Sequence, residues 1–340
     1  MIKNIFTEQL QKAYKEKRRL VAPLIGAPGL NITESTIKLA QQNYGEHFKA
    51  LNAIAKTFSP DIIFPLMDLS VEANAIGCYT LFPKKESATV VKEHFDDDKI
   101  TRLEKINIAY DTRLLGYVET VKLMSINLPK NIMRGAYVAG PYSLSSLMIG
   151  AEEAAMATVT NEDYLKRICD IATERIQKYI HLLIAAGVQI ICILEPTAVL
   201  LGPDQFQQFS ASYIHYINES LKFTGVTTMY HVCGNTTHLI ENMSQTGVDI
   251  LSLDSAHVGV DLPAVAKQIP QETTILGNIN PTGSILTGSP ADVKSEVNSL
   301  LDSMDPYPNF ILGTGCDLPQ DTPIENIHAF MKAGRNYRIK

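Results

Sequence analysis

"VTTMYH" (residues 226–231), "VDILSLD" (residues 248–254) and "TTILGNI" (residues 273–279) are short apolar runs rich in β-branched residues, set apart by helix-length stretches. Runs of this kind, bounded by turn residues, read as parallel strands joined by helical crossovers. The pattern extends in both directions. Downstream stands "NFILGTG" (309–315), and upstream stand "VQIICIL" (188–194), "RGAYVAG" (134–140), "GCYTLF" (77–82) and "DIIFPL" (61–66). Helical stretches at 162–186, 203–222 and 290–304 lie between them, with Thr160 or Asn161 placed to cap the first. Eight such strands in 340 residues predict a (β/α)8 TIM barrel in the α/β class. A doubly wound open sheet also alternates strand and helix, but no G-x-G-x-x-G follows the first strand. No Pro- or Gly-rich linker divides the chain. Residues 1–340 are therefore expected to form a single barrel domain with additional helices, residues 1–60 being an N-terminal helical extension. The polar stretch at 83–99 is expected to form a surface excursion over the barrel mouth.

Composition narrows the function. A net charge of −6 with scattered basic residues carries no polyanion-binding signature, so no nucleic acid is expected as a partner. The apolar run at 182–194 is broken by Gly187 and Gln189 and is too short for a membrane span. The charged first residues lack the apolar core of a signal peptide, which predicts a cytoplasmic protein. Five cysteines, an odd number spread along the chain, argue for reduced thiols rather than a disulfide framework. Cys78, Cys169 and Cys192 read as core packing, whereas Cys233 and Cys316 each stand beside a glycine just past a strand.

The C-terminal ends of barrel strands converge on one face. His231 and Cys233, two apart, present their side chains to the same side of a strand, and Cys316 follows the eighth strand in "LGTGCDLPQ". His231, Cys233 and Cys316 thus make a candidate His-Cys-Cys set, a donor combination that suits zinc over magnesium or calcium. A core histidine with two unrelated cysteines would give the same spacing. Three acids also follow strands: Asp254, Glu195 and Asp68. Carboxylates there are costly to bury without a metal, a proton or a base to meet, although helix capping is an alternative use. Asp254 and Glu195 are the catalytic candidates, and Asp254 can also serve as a fourth zinc contact. Asp68, Asn235 and Asn278 are the substrate-binding candidates, the asparagines competing with a capping role. His181, His238 and His257 read as solvated or structural.

The segments "HVCGN", "DILSLD", "LGNINPTGSILTG" and "GTGCDLPQDTPIENIHAF" resemble, in order and spacing, the C-terminal half of the uroporphyrinogen decarboxylase superfamily, most closely its methylcobamide:coenzyme M methyltransferase branch. A weaker match runs through "FPLMDLSVEANAIGC", "YVAGPYSLSSLMIG" and "AAGVQIICILEPTA", so that it spans about residues 60 to 335. The decarboxylases resemble one another at an Arg-rich N-terminal loop that grips propionates, and they lack the His-x-Cys and the later Cys. Here "LVAPLIGAPGLNITEST" has no arginine, and His231, Cys233 and Cys316 are all present. The resemblance implies Zn2+ on those three residues, Asp254 beside it, and methyl transfer between a corrinoid (methylcobalamin) carried on a separate corrinoid protein and a small-molecule thiol such as coenzyme M. That is the chemistry of methanogenesis and one-carbon metabolism. Three alternatives stay open: demethylation of a methyl ether or methylamine onto the corrinoid protein, a uroporphyrinogen decarboxylase-like enzyme, and a nonenzymatic zinc-stabilised binding subunit.

Overall fold

In the computed structural model, which describes residues 5–83 and 86–340, nine strands follow in order. They are β1 (Ile62–Ile63), β2 (Thr80–Leu81), β3 (Thr89–Val90), β4 (Met133–Ala139), β5 (Ile190–Leu194), β6 (Thr227–Val232), β7 (Ile250–Leu253), β8 (Thr274–Ile279) and β9 (Phe310–Thr314). Seven of them form one parallel sheet in the order β1-β4-β5-β6-β7-β8-β9. Residues 20–22 close it. Val21 bridges Leu312 in parallel. The Ala22 N–H donates to the Leu312 carbonyl at 2.8 Å, the Leu312 N–H to Leu20 at 3.0 Å, and the Asp61 N–H to Val21 at 3.0 Å. The fold is a TIM barrel.

The barrel reaches eight strands by a different membership from the one expected. "GCYTLF" is not among them: β2 pairs antiparallel with β3 outside the barrel. Tyr79 and Leu81 there are 62% and 46% exposed, whereas a parallel barrel strand is covered on both faces. The missing strand is the buried segment Leu20, Val21 and Ala22, too short, between Arg19 and Pro23, to show a strand pattern. Because one strand was miscounted and another missed, the ordinal positions of β4 to β9 in the barrel are unaffected. Lys84 and Lys85, in the expected surface excursion, lie outside the described residues. No helix among the described residues is long and apolar enough to cross a membrane.

Strand alternation sorts the side chains into two layers. Ile190, Cys192, Leu194, Met229, Ile250, Leu276 and Ile311 pack inside the barrel with Phe64 and Tyr137. Ile191, Ile193, Tyr230, Val232, Leu251 and Leu253 pack outward against the helices. Gly135 permits the interior packing, since a Cβ there would stand 2.2 Å from the Phe64 ring. The interior set fixes which positions past the strands can reach the mouth: His231, Cys233, Ser252, Asp254 and Asn278 share its parity. Local signals agree with the fold elsewhere. Ser289 accepts from the Asp292 N–H and donates its own N–H to Asp292, a capping box that starts the helix Pro290–Ser303 and contributes about 1 kcal/mol.

Candidate metal centre

His231 is buried, and its position is set by the register of β6 against β7, which places Ser252 directly opposite. Its Nδ1 lies 3.0 Å from the Ser252 Oγ. The tautomer in which Nδ1–H donates to that hydroxyl leaves the Nε2 lone pair free for a metal, the arrangement usual for a ligating histidine. The Cys316 Sγ stands 3.8 Å from His231 Nε2. Two ligands of one tetrahedral zinc, with Zn–S near 2.3 Å and Zn–N near 2.0 Å, would lie about 3.6 Å apart, so this pair fits. Cys316 also acts on the Cys233 thiol. That interaction pulls the Cys233 thiol below its ordinary range and pushes Cys316 up to about 12, as expected when Cys316 donates its S–H. All five cysteines are free thiols. Cys316 is thus the hub of two pairwise interactions, while no three His, Cys, Asp or Glu side chains among the described residues form a ready-made metal cluster.

The surrounding backbone is shaped for this approach. Gly234 has φ +88°, a left-handed conformation that turns the chain away directly after Cys233. Its N–H donates to Asp254 Oδ2 at 2.8 Å, and Asp254 Oδ1 accepts from the Ser255 N–H at 2.6 Å. Asp254 therefore ties the loop carrying Cys233 to the end of β7. Asn278 ties the same region to β8, its Nδ2 donating to the carbonyls of Asp254 at 2.9 Å and Val260 at 3.0 Å. Gly315 lets the Cys316 backbone close on this knot, since a Cβ there would meet the Ser255 nitrogen at 2.7 Å. Asn235 accepts from the Thr237 N–H at 3.2 Å and hydroxyl at 2.7 Å, a side-chain turn, and packs on Gly259.

Two of the expected acids stand elsewhere. Glu195 follows the inward-facing Leu194 and so leaves on the opposite side. Its buried carboxylate accepts from the N–H groups of Tyr142 at 3.0 Å and Ser143 at 2.7 Å, at the start of the helix Pro141–Ile149. Only its main chain reaches the centre, the Glu195 N–H donating to the His231 carbonyl at 2.9 Å. Asp68 is paired with Arg113 and accepts from the Tyr117 hydroxyl at 2.7 Å and the Ser70 hydroxyl at 2.6 Å. It belongs to a second polar cluster with His47 and Glu72.

The model of the family described as uroporphyrinogen decarboxylase (URO-D) matches residues 45–337, well over half of the chain. The chain belongs to the uroporphyrinogen decarboxylase family. A methylcobamide:CoM methyltransferase MtbA of Methanosarcina mazei is 28% identical over 80% of this chain and 78% of that protein. A uroporphyrinogen decarboxylase of Prochlorococcus marinus is 24% identical over 82% of this chain and 80% of that protein. A solved structure described as a methyltransferase from Methanosarcina mazei superposes with a TM-score of 0.84 at 22% identity, covering 96% of this chain and 97% of that one. The resemblance to the methylcobamide branch, read from "HVCGN" and "GTGCDLPQDTP", is borne out by these relatives.

Several residues of this URO-D chain that matter at the mouth went unread in the sequence. Ser252 is signalled only by register and Arg113 by nothing local, whereas Gly315, beside Cys316, is legible there. Glu72, in the second cluster, is buried, and burial pushes its carboxyl up to about 7 against the pull of an Ala139 N–H bond. Its folded form holds a proton that the unfolded chain releases near 4.5, so its stabilising contribution is complete below that pH and lost as pH rises through about 7. Glutamine at Glu72 can keep the Ala139 bond through its amide oxygen, which lies on an oxygen accepting at 2.7 Å. The variant is expected to gain on the wild type by up to roughly 3 kcal/mol between pH 4.5 and 8, read from paired denaturation curves. His47, pushed by burial down to about 4, changes with pH in the opposite sense but cancels in this difference.

Proposed function

We propose that this chain transfers a methyl group between a methylcobamide, carried on a separate corrinoid protein, and a small thiol, with His231, Cys233 and Cys316 holding a zinc ion. The observation that carries this is the approach of Cys316 to 3.8 Å from His231 Nε2, with the Cys233 thiol acting on it, at the C-terminal mouth of the barrel. A zinc ion bound there would strip the proton from a coordinated thiol, whose free pKa is near 8.5, and keep its sulfur nucleophilic at neutral pH. The names of relatives such as the Methanosarcina mazei protein support the donor and acceptor classes, coenzyme M being one such thiol. A decarboxylase is disfavoured by the residues themselves: residues 20–36 carry no arginine to grip several carboxylates.

In the transfer, the acceptor sulfur attacks the methyl carbon, the S–C bond forms as the Co–C bond breaks, and the electron pair stays with cobalt. The thiol proton leaves before the attack. The chain's own work is placement. Ser252 fixes the His231 ring, and Asp254 fixes the turn that delivers Cys233, with Asn278 and Asn235 holding the adjoining loops. Glu195 supports the β6 end through its main chain, and Asp68 braces the rim through Arg113. Both oxygens of Asp254 already accept main-chain N–H groups, so it acts on the centre through Cys233. A zinc ion held by the three residues would then keep a position open to substrate, as in catalytic rather than closed structural zinc sites.

The test is metal analysis of the purified protein together with demethylation of methylcobalamin against a panel of thiols and tetrahydrofolate. Close to one zinc per chain and thiol-dependent demethylation are expected. Turnover with tetrahydrofolate alone would replace the acceptor class, and full activity in metal-free protein would overturn the proposal.

A further inference from the structure

A cavity of about 410 Å3 lies between the start of the helix Thr112–Asn127 and the junction of the helices Ile37–Gln42 and Tyr44–Phe58. That volume is ordinary for a small-molecule pocket. Gln41, His47, Phe82, Arg113 and Tyr117 line it, and none of the residues of the metal centre does. Its wall is one connected unit built on the segment just past β1. The Tyr117 hydroxyl donates to Asp68 Oδ2 at 2.7 Å, Arg113 pairs with the same carboxylate, and the Leu66 N–H donates to His47 Nε2 at 2.9 Å. The His47 and Tyr117 rings meet edge to face with centroids 5.1 Å apart, and the Arg113 guanidinium lies 4.8 Å from the centre of the Phe82 ring. Against this order, two groups on the wall are idle. Gln41 is only 3% exposed, yet neither its amide nitrogen nor its amide oxygen has a hydrogen-bond partner, and Arg113 Nε is likewise buried and unpaired. Buried polar groups are nearly always paired, and an apolar side chain at Gln41 would be buried without that cost.

We propose that this cavity is a binding site, separate from the metal centre, for an uncharged carboxamide. Its N–H donates to Gln41 Oε1 while its carbonyl accepts from Gln41 Nε2, the reciprocal pair that two primary amides form. A ketone lacks the donor for that pair. A carboxylate lacks it too, and brings a charge that nothing on the wall is left to meet. Arg113 is the one charged side chain lining the cavity among the described residues, and Asp68 already offsets it. Burial holds His47 neutral, its pKa pushed down to about 4. Asp68 and Arg113 are therefore positioning residues, and Gln41 is the group that selects. Two sources carry the chemistry: a small free amide, or the carboxamide arms at the edge of a corrin ring brought to this end of the barrel. The second source rests on the methyl-transfer reading, whereas the site itself does not.

Binding calorimetry on the zinc-loaded protein decides it, using nicotinamide, nicotinate and 3-acetylpyridine, which share a ring and differ only in the group it carries. Nicotinamide is expected to bind once per chain and at least about tenfold more tightly than the other two, the size of one well-made hydrogen bond. Gln41→Met should erase that preference while its melting temperature holds or rises, because the deleted amide bonds to nothing in the protein. Cys316→Ala should keep the preference, since Cys316 does not line the cavity. Displacement of nicotinamide by dicyanocobinamide, which carries the corrin arms without the nucleotide base, assigns the site to those arms; no displacement assigns it to a free amide. Equal binding of the three probes, or a preference that survives Gln41→Met or disappears in Cys316→Ala, would overturn the site. The preference in a protein that shows no thiol-dependent demethylation would instead sink the methyl-transfer reading and leave the site standing.

Discussion

Alanine at Cys316 is expected to remove zinc to background while leaving the barrel folded. The residue lies past the end of β9, half-buried at the rim, and contributes nothing to the strand ladder, which ends at Thr314. What it does contribute is both of the interactions that assemble the centre, with His231 Nε2 and with Cys233. Without it the remaining pair of ligands cannot enclose a metal with one open position. Methyl transfer should fall by more than the 10- to 100-fold that loss of an outer partner of a metal ligand typically costs. Alanine at Cys169 is the control. That thiol is fully buried and accepts from the Ser145 hydroxyl at 3.3 Å, so its loss should cost stability and spare the metal. Metal content, melting temperature and methylcobalamin demethylation on the two variants separate the outcomes. Retained zinc and activity in Cys316→Ala would end the proposed chemistry.

Why so much of the centre was visible in the sequence follows from the strands that carry it. β4 to β9 are covered on both faces, so they appear as unbroken apolar runs, and the residues just beyond them have few places to go but the mouth. His231, Cys233 and Asp254 inherit their direction from strand parity, which a sequence displays. The closing strand has no such signal. Residues 20–22 are held by hydrogen bonds to Asp61 and Leu312, partners about 40 and 290 positions further along the chain. The two acids set apart from the centre show the same limit. Glu195 is taken by the start of the helix Pro141–Ile149, more than fifty positions upstream, and Asp68 by Arg113, 45 positions downstream. A carboxylate after a strand is legible as a group needing a partner; which partner reaches it is decided by packing.

Alanine at Gly315 is expected to damage the centre nearly as severely, though no ligand or functional group is deleted. Gly315 is not one of the glycines with positive φ, so alanine meets no backbone penalty there and the substitution tests close approach alone. Its Cβ would stand 2.7 Å from the Ser255 nitrogen and 2.9 Å from Asp254 Oδ1, both part of the knot that holds the Cys233 turn. These are constrained atoms, so the strand ends must part by several tenths of an ångström. That moves Cys316, just past β9, away from His231 on β6 and Cys233 just beyond it. A misplacement approaching 1 Å can cost on the order of 100-fold in rate, and the same movement weakens a ligand set that depends on a 3.8 Å approach. The expected result is a protein of near-native melting temperature with lower zinc affinity in chelator competition and about 100-fold slower methyl transfer. Alanine at Gly234 provides the contrast, because its φ of +88° adds backbone strain while the nearest atom to a new Cβ is the Val199 side chain at 3.3 Å. It should lower stability first and metal affinity second. If Gly315→Ala bound zinc and turned over like the wild type, the meeting of β6, β7 and β9 around Cys316 would have no bearing on the chemistry.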